Sequence, residues 1–379
     1  MSDRIKYICY YDTHDSTCKR NYVLSATNKL EYIWEVMSRM GYIVDVVSVS
    51  NCVETKFQYT PGNTRKINDS VYLRTFPSFG GSKIAQWIGR YYLRIFFIIW
   101  FICNVHKGEK VLVYHSLGYC KLLLFLQRLV KCSYVGEIEE LYQDVVPQRK
   151  AMREKENKFI KICDSYIFPS KLLNDKLNTC DKPAVIVQGI YRVEEKRVKP
   201  EEDGFNHIVY AGTFDKDKGV LEAINATKFL PQNYHVHILG FGNSEDVSFI
   251  KGIIKDISNE SNALISYDGC LTGDAFISFL QKCKIGLCPQ NPQAAFNATS
   301  FPSKILTYLS NGLQVVTIDV PAIKQSVIAS CLHFYKEQTP EQLANTIEEA
   351  AVRPFTGISE KLIELDGQFA LTLGKLLKA

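Results

Sequence analysis

The sequence predicts an α/β protein made of two doubly wound halves. Three observations lead there. Short apolar, β-branched runs alternate with amphipathic stretches along most of the chain, the pattern of parallel strands joined by helices. The alternation stops at one charged, proline-containing stretch, 191–204, and then starts again. The 379 residues suffice for two separate cores. The division that follows is residues 1–190, a linker at 191–204, a second domain at 205–354 and a tail at 355–379.

In the first half, Ile5–Tyr11 reads as a strand, 25–40 as an amphipathic helix stopped by Gly41, and Tyr42–Val49 as the next strand. Ligands of such sheets bind beyond the carboxyl ends of the strands. The loop after the first strand, with His14, Arg20 and Asn21, is therefore expected to face the cleft, although His14 could equally be a solvated loop residue. Val111–Tyr114 is a strand running into His115, and Ser133–Glu137 is another, delivering Glu139 and Glu140. His115, Glu139 and Glu140 thus sit at or just past strand ends, where cleft chemistry belongs. The two glutamates also fit the acidic first turn of a helix.

Residues 83–106 form an aromatic-rich stretch with Arg90 and Arg94 toward one end. Its uncharged part is too short to span a bilayer. It is either packed in the core of the first domain or laid against an anionic membrane surface. The net charge of +5 is divided unevenly. Residues 1–190 hold 27 Lys and Arg against 18 Asp and Glu, whereas the remainder holds 18 against 22. A basic front half points to an anionic surface or substrate on that side.

In the second half, His207–Glu222 is a strand, a turn opened by Gly212 and a helix start, with Lys218 just before Gly219. His235–Gly242 is a strand ending in glycines that include Gly240. Leu264–Gly269 and Ile285–Pro289 are further strands. The stretch from Asn297 to Asp319 then reads as loop, short helix, tight stop and buried strand. Ser300 is expected to cap the helix, Pro302 to sit in its first turn and Asn311-Gly312 to end it. Free N–H groups, Ser303 and the Lys304 ammonium meet at that helix start, which makes a seat for a phosphate.

Gly212 and Gly219 with Lys218 between them, the Leu-Gly-Phe-Gly strand end at 239–242, and the helix-Gly-Leu-x-Val-Val segment come in one order over 205–320. Together they resemble the donor half of retaining glycosyltransferases of the GT-B fold, especially family 4. The opening looks like that of bacterial capsule or O-antigen enzymes. The resemblance implies two Rossmann-like domains facing each other across a cleft, with the C-terminal helix crossing back to the first domain. It implies transfer from a nucleotide-diphosphate sugar, a UDP-sugar by family weight, with retention and without a metal or other cofactor. Its acceptor would be a saccharide or a polyprenyl-diphosphate-linked sugar, with His115 and Glu139 as candidates for acceptor binding or activation and His14, Arg20, Asn21 and Glu140 for acceptor binding.

In that scheme backbone N–H groups and Lys218 hold the diphosphate, with Lys218 also in the catalytic set. Gly212, Thr213, Gly240 and Ser303 supply local contacts, Asn297 and Thr299 face the sugar, and Gly269 lies near the base. The chain departs from the family pattern in having Thr213 where an Arg is usual, and Thr299 and Thr307 where two glutamates are usual. Lys304 can supply the missing charge, with less directional control. A catalytically weak nucleotide-sugar-binding subunit is the competing reading. Nucleic-acid binding is set aside for want of a module or a strongly basic domain.

The twelve cysteines form no C-x-x-C pair and no Cys/His cluster along the chain, so neither a zinc site nor a disulfide framework is expected. They suit a reducing cytoplasm, with peripheral attachment to the inner membrane face as an option. Residues 4–11 read as a strand and not as a signal peptide.

Overall fold

The computed structural model describes residues 3–13, 19–22, 24–145 and 148–378. They divide into two compact units, one of Met1–Pro169, Leu173–Val187 and Phe369–Ala379, the other of Ser170–Leu172 and Gln188–Gln368.

The first unit contains strands β1 (Arg4–Cys9), β2 (Ile43–Ser48), β3 (Gln58–Thr60), β4 (Thr64–Lys66), β5 (Val71–Arg74), β6 (Ser78–Gly80), β7 (Lys110–Tyr114), β8 (Ser133–Glu137), β9 (Ser165–Phe168) and β10 (Ala184–Ile186). Its helices are α1 (Leu24–Arg39), α2 (Lys83–Asn104), α3 (Cys120–Val130), α4 (Tyr142–Val145) and α5 (Lys150–Ile162), with α6 (Lys171–Leu177) running between the units' sequences. The sheet order is β10-β9-β8-β7-β1-β2-β5-β4, parallel except for the edge strand β4. Strands such as β1 and β7 are apolar because helices cover both faces of a parallel sheet. The order reverses between β1 and β7, so the loops after Cys9 and Tyr114 meet at the sheet's switch point.

Helix α2 is apolar nearly all round, yet only Gly89, Leu93, Phe97 and Phe101 are buried, one stripe at four-residue spacing. Gly89 is required for that seat, since a Cβ there would lie 2.6 Å from the Phe79 carbonyl oxygen in β6. The other faces present Ile84, Trp87, Ile88, Tyr91, Ile95, Phe96, Ile99 and Ile102 to solvent. Core packing and an exposed apolar surface, set out above as alternatives, are thus both present on one helix.

The second unit contains β11 (Asn206–Thr213), β12 (Tyr234–Phe241), β13 (Leu264–Gly269), β14 (Ile285–Cys288), β15 (Gln314–Ile318) and β16 (His333–Tyr335). Its helices are α7 (Val220–Ala226), α8 (Ser244–Glu260), α9 (Gly273–Lys282), α10 (Ser303–Ser310), α11 (Pro321–Lys324), α12 (Pro340–Val352) and the start of α13 (Ile358–Lys378). The sheet is wholly parallel, in the order β13-β12-β11-β14-β15-β16. Counted from β11 this is 3-2-1-4-5-6, the order of dinucleotide-binding folds, with its switch point between β11 and β14.

Three expectations change. The stretch 191–204 is fastened to the second unit and does not hang free. The Gln281 side-chain oxygen accepts from the N–H of Arg197 at 2.7 Å, and its amide donates to the Glu195 carbonyl at 2.8 Å. The tail, whose sequence reads as a helix over Glu360–Leu365 followed by a separate apolar C-terminal helix, carries one continuous helix, α13, with Gly367 inside it. Helix α10 begins at Ser303 with Pro302 at its N-cap, and no side chain caps it; the Ser300 hydroxyl is buried without a partner.

Candidate functional site

The second unit's switch point is built by local chemistry. Strands β11 and β14 pair only through Ile208–Ile285 and Val209–Gly286 and then part. Tyr308 of α10 fills the gap. Its ring lies where a Cβ at Gly286 would stand, and its hydroxyl accepts the orphaned Ala211 N–H at 2.8 Å. That bond pins the start of α10 against the carboxyl ends of both strands.

Lys304, in the first turn of α10, reaches into this gap. Its Nζ is buried and has no hydrogen-bond partner, although part of the aliphatic stem is exposed. The ammonium stands 3.9 Å from the centre of the Tyr210 ring. A Cβ at residue 212 would be 3.0 Å from it, so Gly212 leaves the room the cation uses. Burial pushes the Lys304 ammonium from 10.5 down to about 8, and the charge of Lys218 pushes the same way. Lys304, Lys218 and the uncapped N–H groups of α10 thus set positive charge and hydrogen-bond donors side by side, the chemistry that suits an anion.

Lys218 is placed from the other side. Gly219 follows it at φ +80, and a Cβ there would lie 1.6 Å from the Pro289 oxygen, so the loop after β11 lies directly on the loop after β14. Asp217 and Asn297 both bind Asn291: its amide donates to Asp217 at 2.7 Å, and its carbonyl accepts from Asn297 at 2.8 Å. Lys218 Nζ lies 4.2 Å from the centre of the Phe296 ring. Asn297 is buried and holds the loop in shape, a different part from the sugar contact expected of it.

Thr213 is exposed at the end of β11, and the Thr307 hydroxyl turns back to the Ser303 carbonyl at 3.3 Å. The Thr299 carbonyl accepts from the Ser170 hydroxyl. Gly240 lies against Gly212, where a Cβ would be 2.0 Å from the Gly212 oxygen. Gly269 ends β13 at φ +86 with open space around it.

The first unit holds a second polar cluster at the carboxyl end of β8. Glu137 is fully buried and accepts from the Tyr7 hydroxyl. Burial and the neighbouring Glu139 raise its pKa from the ordinary 4.5 to about 8, so it holds its proton near neutrality. Glu139 pairs with Lys29 at 2.5 Å and keeps an outward edge, its side chain 26% exposed. Lys29 also donates to the Val187 carbonyl at 3.0 Å.

The other acceptor candidates land differently. His115 is 2% exposed, stacked on Phe159 at 5.9 Å. Burial lowers its imidazole to about 4. It is a neutral core residue oriented by the Glu140 backbone, which corrects its assignment to acceptor chemistry. Arg20 is buried as well and donates to the Ser50 carbonyl at 2.8 Å; Asn21 accepts from the Asn51 N–H at 2.6 Å. Both hold the loop after β1. His14 lies outside the described residues.

Sequence reading missed Tyr210, Asn291, Phe296 and Tyr308. Tyr308 sits in the helix of the 297–319 stretch without having been singled out, and the roles of all four come from strands and loops distant in sequence.

No protein-family model matches the chain, and no curated protein matches it in sequence. Solved structures do match in fold. A UDP-forming α,α-trehalose-phosphate synthase from Burkholderia xenovorans in complex with glucose-6-phosphate superposes with a TM-score of 0.68 at 9% identity, over 100% of both chains. A trehalose-6-phosphate synthase studied with bisubstrate glycomimetics for glycosyl transfer with retention gives 0.66 at 10%, covering 99% of each chain. The lipopolysaccharide outer core galactosyltransferase WaaB gives 0.62 at 12%, covering 98% of each. The fold is that of GT-B glycosyltransferases, with two Rossmann-like units.

Proposed function

We propose that this protein is a glycosyltransferase that binds a nucleotide-diphosphate sugar, a UDP-sugar foremost, in its second unit. It transfers the sugar with retention and without a catalytic metal. The observation that carries the reading is the buried, unpartnered Lys304 ammonium at the switch point, beside Lys218 and Gly212. A diphosphate there receives two positive charges and the N–H groups of α10. Its developing charge on departure is neutralised by donors already in place, the main electrostatic lever such a site has. Thr213, Thr299 and Thr307 offer only short polar contacts, so Lys304 takes the place of the family's arginine.

The acceptor is a saccharide, carried on a polyprenyl diphosphate at an anionic membrane surface, as in surface-polysaccharide synthesis. The exposed face of α2 supports this, with Lys83, Arg90 and Lys107 exposed and no acidic residue between 70 and 108. Among the described residues no helix is long and apolar enough to cross a membrane. Glu139, fixed by Lys29 and Glu137, is the group proposed to meet the acceptor. The alternative, a nucleotide-sugar-binding subunit with little activity, is favoured by one observation: Thr307 is turned into its own helix, where the family has a carboxylate.

The deciding experiment is a thermal-shift panel of UDP, GDP and their sugar conjugates on wild type and Lys304→Ala. One nucleotide is expected to raise the melting temperature of wild type and to lose that effect in the variant. No shift with any nucleotide would refute the donor site. Turnover with a lipid-linked acceptor then separates enzyme from binding subunit.

A further inference from the structure

Far from the switch point, the amino-terminal half of the second unit's sheet gathers three histidines. His235 and His237 alternate on β12 and so share a face, and His207 of β11 stands beside His235 in the parallel register. Ser266 is the neighbour of His237 on β13, and Asp268 follows it two residues on along the same strand. One ring nitrogen from each histidine lies within 4.8 Å of the other two. His207 and His237 are buried and His235 is half-buried. The sequence shows no Cys/His cluster because these residues come from separate strands.

The hydrogen bonds leave a gap in the donor count. His207 Nε2 is 2.9 Å from Asp203, and His237 Nδ1 is 3.1 Å from Asp268. An ionised carboxylate only accepts, so both of those nitrogens carry hydrogens. His207 Nδ1 and His237 Nε2 then face each other at 2.9 Å, and two neutral rings have no hydrogen left to place between them. Two ring lone pairs brought this close attract a cation, a metal ion or a shared proton. Ser266 donates to Asp268 at 2.8 Å and stands 2.9 Å from His235 Nε2, so it can accept that ring's N–H. Carboxylates and a hydroxyl behind imidazoles are the outer partners that metal-binding histidines use to fix their tautomers.

We propose that His207, His235 and His237 bind one divalent transition-metal ion, Zn2+ foremost, as a structural site. Three imidazole nitrogens suit that ion class and exclude Ca2+ and Mg2+. Tetrahedral zinc holds its nitrogens roughly 3.3 Å apart, so the 2.9 Å pair need open only slightly. Binding replaces the shared proton: three N–metal bonds form, from His207 Nδ1, His237 Nε2 and a ring nitrogen of His235, water fills the fourth position, and the proton leaves to buffer. The site is distinct from the donor site, since His207 and Gly212 are about five residues, roughly 16 Å, apart along β11. It ties β11 to β12 below the nucleotide loops and takes no part in transfer.

The test uses the full-length, tag-free protein, stripped with a chelator and titrated with Zn2+ and, as a coloured probe, Co2+. The expected result is one ion per chain, release of one proton, a visible Co2+ absorption and a higher melting temperature. Asp268→Asn, which keeps the ligands, is expected to weaken binding about 10- to 100-fold, and the His235→Ala/His237→Ala double variant to abolish it. A wild-type protein that binds no ion would overturn the proposal, leaving a shared proton only. So would unchanged stoichiometry in a folded double variant, which would place the ion on the exposed Cys103, Cys180 or Cys270.

Discussion

Lys304 is a residue whose surroundings oppose its charge. Moving its titration from 10.5 to about 8 corresponds to roughly 3 kcal/mol that the free fold bears to keep it ionised at neutral pH. The folded value is the lower one, so between those two pH values the unfolded chain binds more protons and the free protein gains stability as pH rises. A bound diphosphate reverses the preference. Nucleotide affinity is therefore expected to fall above pH 8, by up to about tenfold per pH unit, and calorimetric titrations at pH 7, 8 and 9 measure it. In Lys304→Met binding is weaker and this break disappears. Glu137 has the opposite sign: its folded value is raised, so the folded state binds more protons above the ordinary glutamate range and stability falls as pH rises there. Glu137→Gln is expected to flatten that decline in melting temperature between pH 5 and 8.

At the scale of elements, close approach decides which loops can form the site. Gly219→Ala adds a Cβ that meets the Pro289 oxygen at positive φ, and a loss of about 2–4 kcal/mol in urea unfolding is expected. Helix α2 makes the contrary case, since its outer face is largely exposed among the described residues. Trp87, 53% exposed, and Ile95, 55% exposed, can become glutamate with the melting temperature nearly unchanged. Sedimentation of wild type with vesicles rich in phosphatidylglycerol, weakened by salt, is expected to be lost in Trp87→Glu/Ile95→Glu. Equal sedimentation of the two would refute membrane docking.

For the whole molecule, the last helix ties chain end to chain beginning. Phe369 stacks on Tyr32 at 5.6 Å, Leu373 and Leu376 are buried in the first unit, and Lys110 donates to the Leu376 carbonyl at 2.8 Å. A chain ending at Gln368 loses these contacts, each buried side chain contributing up to about 2 kcal/mol. A clear drop in the first unit's melting temperature, with nucleotide binding by the second unit retained, is the expected outcome.

Much of this architecture is legible in the sequence, because strand and helix periodicity and glycine stops are local properties. The β8 and β13 ranges coincide with the runs read from sequence, and Gly312 ends α10 at φ +84 as its turn requires. Lys218, Lys304 and Gly212, the residues of the proposed phosphate seat, could be grouped for the same reason: such seats are built from a strand end, a glycine and a helix start. What could not be read there is juxtaposition. Whether His115 faces substrate or core depends on α5, where Phe159 stacks on its ring and Glu156 lies 3.5 Å from its Nε2, and Tyr308 matters only because β11 and β14 part beneath it. The three histidines meet only when β11 and β12 are set in register. Backbone preference acts over a few residues, whereas burial and charge are set by neighbours that only the folded sheet brings together.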